Sequence, residues 1–175
     1  HYYSGWATNK AHKVGMKVII PANGCCADNW RDEKLDSYRV HALVSDLERA
    51  MNYLDRGETS FHMPIDHAVR IANINSMNKA DFTYFTCSFY KKGTCHIKFK
   101  PEAARIIDRL NIFAGQRKNW LPPSYGKKHY ADMTQEEKIV IDEFQGEKAY
   151  ESVMRDPTML ISTSDIARAA LPQAL

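Results

Sequence analysis

No stretch of the 175-residue chain approaches the roughly 18 consecutive apolar residues that a membrane-crossing helix needs. No basic start followed by an apolar stretch opens it, so no signal-peptide pattern is present. The first residue is His1 rather than Met, and the expectation is a piece of a longer chain. Cysteine is scarce: Cys25, Cys26, Cys87 and Cys95 make no C-x-x-C pair, which removes the usual zinc spacing. Adjacent cysteines are also poor formers of a disulfide framework, so reduced, intracellular thiols are expected. There is no P-loop, G-x-G-x-x-G, G-x-S-x-G, H-x-x-x-H, H-E-x-x-H or zinc-deaminase signature. Internal repeats and low-complexity tracts are absent too. What remains, at 44% hydrophobic and 26% charged residues, is a composition able to bury a core without staples.

Charge is present but unevenly placed. Residues 1–90 carry ten basic and ten acidic residues, for a net of 0. Residues 91–130 carry ten basic residues against Glu102 and Asp108, for +8, and residues 131–175 come to −5. A concentrated basic segment points to a polyanionic partner. The competing expectation is that the acidic tail folds back and neutralises it.

Along the chain, Lys13–Ile20 reads as a strand ended by Pro21 and the loop Ala22-Asn23-Gly24. A second short strand is predicted near Tyr38–Leu43. Ser45-Asp46-Leu47-Glu48 reads as a capping box launching a helix with Leu47, Ala50, Met51 and Leu54 on one face and Gly57 as its stop. Pro64 suits the start of a second helix, with Ile65, Ala68, Val69 and Ala72 as its apolar face, fading in the polar run Asn73–Asn78.

The clearest pattern follows. Phe85, Cys87 and Phe89 alternate with polar residues, and after Lys91-Lys92-Gly93 so do Cys95, Ile97 and Phe99. A three-residue loop with Gly93 left-handed pairs Phe89 with Cys95, Cys87 with Ile97 and Phe85 with Phe99, all on one face. A two-residue loop mixes the faces, so the pattern selects the first register. Pro101 then opens a helix whose stripe is Ala103, Ile106, Ile107, Leu110 and Phe113. The segment 115–132 reads as an irregular linker, and Thr134-x-x-Glu137 as a second capping box for a helix to about Phe144. A last short helix is predicted near Asp165–Ala170. The expected fold class is α+β: a small antiparallel sheet including a hairpin at about 82–100, packed against three or four helices. The expected division is one α+β domain over 1–130 and an acidic helical extension over 131–175.

The hairpin's outer face gathers Thr86, Ser88, Tyr90, His96, Lys98 and Lys100. Hydroxyls, an imidazole and ammonium groups suit phosphate and sugar, and Tyr90 suits a base; an ordinary solvated sheet face has the same look. Adding the rest of the basic segment gives the candidate nucleic-acid-binding set: Tyr90, Lys91, Lys92, His96, Lys98, Lys100, Arg105, Arg109, Arg117, Lys118, Lys127 and Lys128. Lys92–Phe99 echoes the RNA-recognition-motif signature at its Lys-Gly start and Ile-x-Phe end, but Thr94 and His96 stand where stacking aromatics belong. His62, Asp66, His67 and His96 are the residues an enzyme would draw on, without ligand spacing. Cys25-Cys26 follows a strand but has no adjacent activating group, and Asp28, Asp32, Glu33 and Asp36 lack the spacing of a calcium loop. No cofactor, metal site or catalytic residue is assigned.

Two stretches carry a resemblance: Thr8-Asn9-Lys10-Ala11-His12-Lys13-Val14-Gly15-Met16-Lys17-Val18-Ile19-Ile20, and Phe89-Tyr90-Lys91-Lys92-Gly93-Thr94-Cys95-His96-Ile97-Lys98-Phe99 with a helix and Leu121-Pro122 after it. Together they resemble a "domain of unknown function" family of phages, prophages and plasmids, found alone or fused to adenine-specific DNA methyltransferases. Lys92 and Thr94 depart from that family's asparagines around the turn glycine. The resemblance spans about residues 8–122 and implies a mobile-element setting in a bacterial cytoplasm, beside DNA modification. The chain has no methyltransferase N/D-P-P-Y motif; Leu121-Pro122-Pro123-Ser124-Tyr125 lacks the acidic or amide residue.

Three functions follow as expectations. The first is a phage or mobile-element accessory protein binding DNA through the hairpin–helix surface, linked to a DNA methyltransferase or to counter-restriction. The second is a metal-dependent nuclease or hydrolase. The third is a protein-binding inhibitor of a host defence enzyme, with the acidic residues 131–175 as a partner-binding arm or a DNA mimic. None involves a membrane.

Overall fold

Alternation between Phe85 and Phe99 is realised as a hairpin, β3 (Phe85–Tyr90) and β4 (Thr94–Phe99), antiparallel. Phe85 pairs with Phe99, Cys87 with Ile97 and Phe89 with Cys95, in the register the pattern selects, and all six are buried. Gly93 takes φ +82° in the turn, and its carbonyl accepts from Ala22 N at 2.8 Å. Two more strands extend the pair into a four-stranded antiparallel sheet of order β1-β4-β3-β2, where β1 is Lys17–Pro21 and β2 is Lys79–Asp81. The predicted first strand therefore starts later than Lys13 and ends on Pro21. Residues 13–27, 34–61 and 63–161 are described in this computed structural model, and five α-helices lie among them. The fold is α+β, as expected.

Two linked expectations are overturned. Tyr38–Leu43 is not a strand but the first turns of α1 (Ser37–Arg56), a 20-residue helix. Asp36, not Ser45, is its cap: its carboxylate accepts from Arg39 N at 2.9 Å. Ser45–Glu48 lies inside the helix. The aromatic and β-branched residues at 38–44 favour a strand by propensity, but Val40, Val44, Met51 and Leu54 lie on one buried helical stripe, and packing overrides propensity. Gly57 ends the helix at φ +75°, as predicted. The second helix, α2 (Ile65–Ile74), begins after Pro64 and buries Ile65, Ala68, Val69 and Ala72.

A buried polar network ties α1 to the sheet. Glu48 is 1% exposed; its Oε1 accepts from Thr83 N at 3.1 Å, and Oε2 has no hydrogen-bond partner among the described residues. Burial pushes the carboxyl above its ordinary value, against the pull of the Thr83 N–H and of Lys100. Tyr84 tucks its ring into the core, its hydroxyl 2.9 Å from both Asn52 Oδ1 and Asp55 Oδ2. Asn52 in turn donates to Ser60 O and accepts from Arg56.

The chain divides into two compact units, His1–Ile107 and Asp108–Leu175, with the boundary inside α3 (Ala104–Arg117). Pro101 opens a 3-10 turn, Pro101–Ala103, that leads into this helix. Ala103, Ile106 and Ile107 are buried as predicted, whereas Leu110 and Phe113 are half-buried and Ile112 is buried instead. A helix that serves two cores does not keep one stripe. The second unit has its own core of Ile112, Leu121, Tyr125, Met133, Ile141, Tyr150 and Val153. The irregular segment after α3 thus supplies Leu121 and Tyr125 to that core. Thr134 and Glu137 form the predicted capping box of α4 (Gln135–Phe144). Gly146, at φ +84°, separates α4 from α5 (Glu147–Arg155). The helix predicted near Asp165–Ala170 lies outside the described residues.

Two outcomes test these constraints. A Cβ at position 93 would overlap Asn23 Oδ1 at a left-handed φ, so Gly93→Ala is expected to destabilise by about 1–2 kcal/mol in urea unfolding. Asn23→Ala should recover the steric part and leave the backbone part. Glu48→Gln tests the buried carboxyl. The folded state holds that proton more tightly, so the wild type keeps its full stability below the ordinary value of 4.5 and loses some as pH rises through the raised one. Urea midpoints from about pH 4 to 8 should show this loss in wild type and not in the variant; superimposable profiles would contradict it.

Candidate nucleic-acid interface

Residues that alternate with the core positions come out on the other face of the same sheet. Pairing β1 against β4 sets Lys17 beside Lys98, Ile19 beside His96 and Pro21 beside Thr94. Pairing β4 against β3 continues the rows to Thr86, Ser88 and Tyr90. Pairing β3 against β2 adds Asp81 beside Thr86 and Lys79 beside Ser88. The face therefore has one row of Lys17, Lys98, Thr86 and Asp81, one of Ile19, His96, Ser88 and Lys79, and a third of Pro21, Thr94 and Tyr90. Lys17, Lys79, Lys98 and Tyr90 are exposed. Asp81, the acid among these positions, is paired with Lys100 Nζ at 3.3 Å.

Tyr90 and His96 are diagonal neighbours across β3 and β4, and their rings meet at a centroid distance of 4.6 Å, tilted by 49°. Partial burial, then the charges of Lys17 and Lys92, lowers the His96 pKa below its ordinary value of 6.5. The imidazole is thus neutral at neutral pH. A neutral ring pair set among ammonium groups offers surfaces on which bases stack and charges that hold phosphates.

Of the twelve candidate residues, the sheet brings together Tyr90, His96, Lys98 and Lys92, with Lys91 exposed in the same turn. Lys100 is engaged otherwise: besides Asp81, its ammonium donates to Phe82 O at 2.6 Å, and its charge acts on Glu48. Arg105 is exposed on α3 in the first unit. Arg109, Arg117, Lys118, Lys127 and Lys128 belong to the second unit. Arg109 is half-buried, Arg117 lies over the Phe113 ring at 5.7 Å, and Lys118, Lys127 and Lys128 are exposed. Lys128 sits near enough to Glu137 to help hold that carboxyl below its ordinary value, behind the larger effects of Ser124 and the Thr134 N–H. Lys17 and Lys79 were missed by the sequence reading. Lys17 lay in a recognised strand whose partner was unknown, and Lys79 followed directly on the polar run Asn73–Asn78 read as a turn.

The residues an enzyme would draw on are not gathered. Asp66 Oδ1 is 3.2 Å from both Ser37 Oγ and His41 Nδ1, and Arg70 donates to His67 Nδ1 at 3.1 Å. His96 is on β4, and His62 lies outside the described residues. No three His, Cys, Asp or Glu side chains among the described residues are placed to hold a metal. Cys25 is 3% exposed, and burial pushes its thiol up to about 11, which leaves it a poor nucleophile. Cys87 and Cys95 are also buried, and their mutual hydrogen bond, with burial, raises the Cys87 pKa. Asp28, Asp32 and Glu33 of the acidic loop lie outside the described residues. No helix among the described residues is long and apolar enough to cross a membrane.

A family model described as "Domain of unknown function (DUF4942)" matches residues 1–120, which contain the whole sheet and α1 to α3. No curated protein and no solved structure matches the chain.

The electrostatics of the ring pair are open to direct measurement. In an NMR titration the His96 imidazole is expected to protonate below pH 6.5. Lys17→Ala or Lys92→Ala should each move that midpoint upward, because removing a neighbouring cation favours the imidazolium. A midpoint that stays put in both variants would show that the lysines do not reach it.

Proposed function

The chain belongs to the DUF4942 family, and on that premise we propose that it is a DNA-binding accessory protein whose working surface is the outer face of the sheet. We place it with a phage or other mobile element, in the bacterial cytoplasm, beside an adenine-specific DNA methyltransferase or acting against host restriction. That setting rests on the resemblance carried by the Thr8–Ile20 and Phe89–Phe99 segments, with the helix and Leu121-Pro122 that follow. The observation that carries the binding reading is the Tyr90–His96 ring pair at 4.6 Å inside a field of lysines.

The chemistry is phosphate neutralisation around a ring platform. Lys17 and Lys98 form one cationic edge, Lys79 stands on the opposite side, and Lys91 and Lys92 extend the charge into the hairpin turn. Tyr90 and His96 hold the centre. Lys100 contributes to holding the sheet's end together rather than to the ligand, since Asp81 and Phe82 O already occupy its ammonium. Arg117, Lys118, Lys127 and Lys128 form a further basic segment in the second unit.

Such binding depends on counterion release and falls with salt. With about four phosphate contacts, affinity for DNA should drop on the order of a hundredfold between about 50 and 200 mM salt. Lys17→Ala and Lys98→Ala should each weaken binding and reduce the slope of log affinity against log salt by about one. Fluorescence anisotropy with a labelled oligonucleotide measures both. Absence of binding at low salt, or affinity that is flat over this range, overturns the reading.

A further inference from the structure

We infer that the ligand of this face is a single strand, with a base stacked on the Tyr90 ring. The inference rests on the nucleic-acid reading of the same face and goes beyond it by naming the form of the ligand.

Three features of the sheet lead there. The first is where the rings sit. Tyr90 and His96 are on β3 and β4, the two central strands, rather than on a protruding loop or helix. Three strand spacings of about 4.8 Å make this face about 14 Å across. The major groove of a duplex is about 12 Å wide and admits a helix or a two-stranded ribbon. His96 stands in a row four strands wide, which that groove does not admit, and Tyr90, the last residue of β3, packs against it from a row of three, so the ring pair meets a base only where that base is out of the duplex stack. An unpaired base, in contrast, can lie flat on the sheet.

The second feature is the chemistry of the rings. Tyr90 keeps 37% of its surface exposed although it is in ring contact with His96, so the residue remains accessible to a ligand. His96 buttresses it from the neighbouring strand. Its lowered pKa keeps the imidazole uncharged at neutral pH, so the pair acts as an aromatic surface and not as another cation.

The third is charge complementarity. The cations lie around the rings rather than between them. Lys98 is two residues along β4 from His96, about 7 Å, and Lys79 is two strands across, about 10 Å. A strand whose bases face the sheet presents its phosphates to that periphery. Asp81, the acid on the face, is already paired with Lys100.

The test compares ligands of one sequence in the same low-salt buffer. A labelled 20-nucleotide DNA strand (about the length that covers several site sizes), its duplex, and the matching RNA strand are titrated with the full chain. Single-stranded DNA is expected to bind at least about tenfold more tightly than the duplex. Tyr90→Ala and Tyr90→Leu should each lose about tenfold for the single strand with little change for the duplex, and Tyr90→Trp should retain binding. The leucine variant keeps apolar cover over the strand, so the comparison survives if the alanine variant is destabilised. Duplex binding as tight as single-strand binding, or unchanged single-strand affinity in both variants, overturns this inference. If Lys98→Ala still weakens binding in that case, the DNA-binding reading stands without it. RNA bound tenfold or more tightly than DNA keeps the stacking inference and overturns the DNA assignment. Failure of the wild type to bind any of the three overturns both.

Discussion

Six side chains facing one way across a single hairpin hold the first unit in place. Phe85, Cys87, Phe89, Cys95, Ile97 and Phe99 meet in pairs between β3 and β4, and every one of them is buried. Because side chains alternate with a period of two, a slip of one residue would send all six to the outside. Gly93 enforces the loop length that prevents the slip, and Asn23 packs against it so closely that no side chain fits there. The Gly93 carbonyl also binds Ala22 N, which brings β1 alongside β4. The turn thus sets the hairpin register and helps seat the third strand.

The same constraint makes the outer face. Once the apolar set is turned inward, the alternate residues have no choice of side. Lys17, Lys98, Lys79, His96 and Tyr90 share a surface because their neighbours share a core. Strand pairing also separates two environments on one sheet. On the inner face the hydrogen bond from Cys95 and burial raise the pKa of the Cys87 thiol, while on the outer face partial burial and then the neighbouring lysines lower that of His96. The binding and stacking properties proposed for the chain belong to that second environment.

At the back of the sheet, α1 is held by polar as well as apolar contacts. Glu48 and Asn52 are both buried on α1, and they meet the Thr83 N–H and the Tyr84 hydroxyl just before β3 begins. Lys100 balances Glu48 electrostatically while closing on Asp81 and Phe82 O. A lysine counted as a surface cation in the sequence is, in the fold, part of the polar contact where α1 meets the end of the sheet. Residue type alone does not distinguish the two roles, since Lys98 and Lys100 have the same side chain and the same parity along the strand.

Strict alternation, a positive-φ glycine and capping residues act over a few positions, and these were readable in advance. They determined the hairpin and its register, the Gly57 stop, the start of α2 after Pro64 and the Thr134–Glu137 box. Where local propensity and burial disagreed, reading failed: 38–44 looked like a strand, and only the core that receives Val40, Val44 and Met51 makes it helix. Lys17 and Lys79 joined the candidate face through pairings between segments about 80 and 10 residues apart, respectively. Pairing over such distances depends on which edges and cores are available after collapse, and no short pattern encodes that. The sequence by itself therefore determined which residues of the hairpin face away from the core. Tertiary structure alone decided which other lysines join them, which lysine is taken by Asp81, and that Tyr90 meets His96.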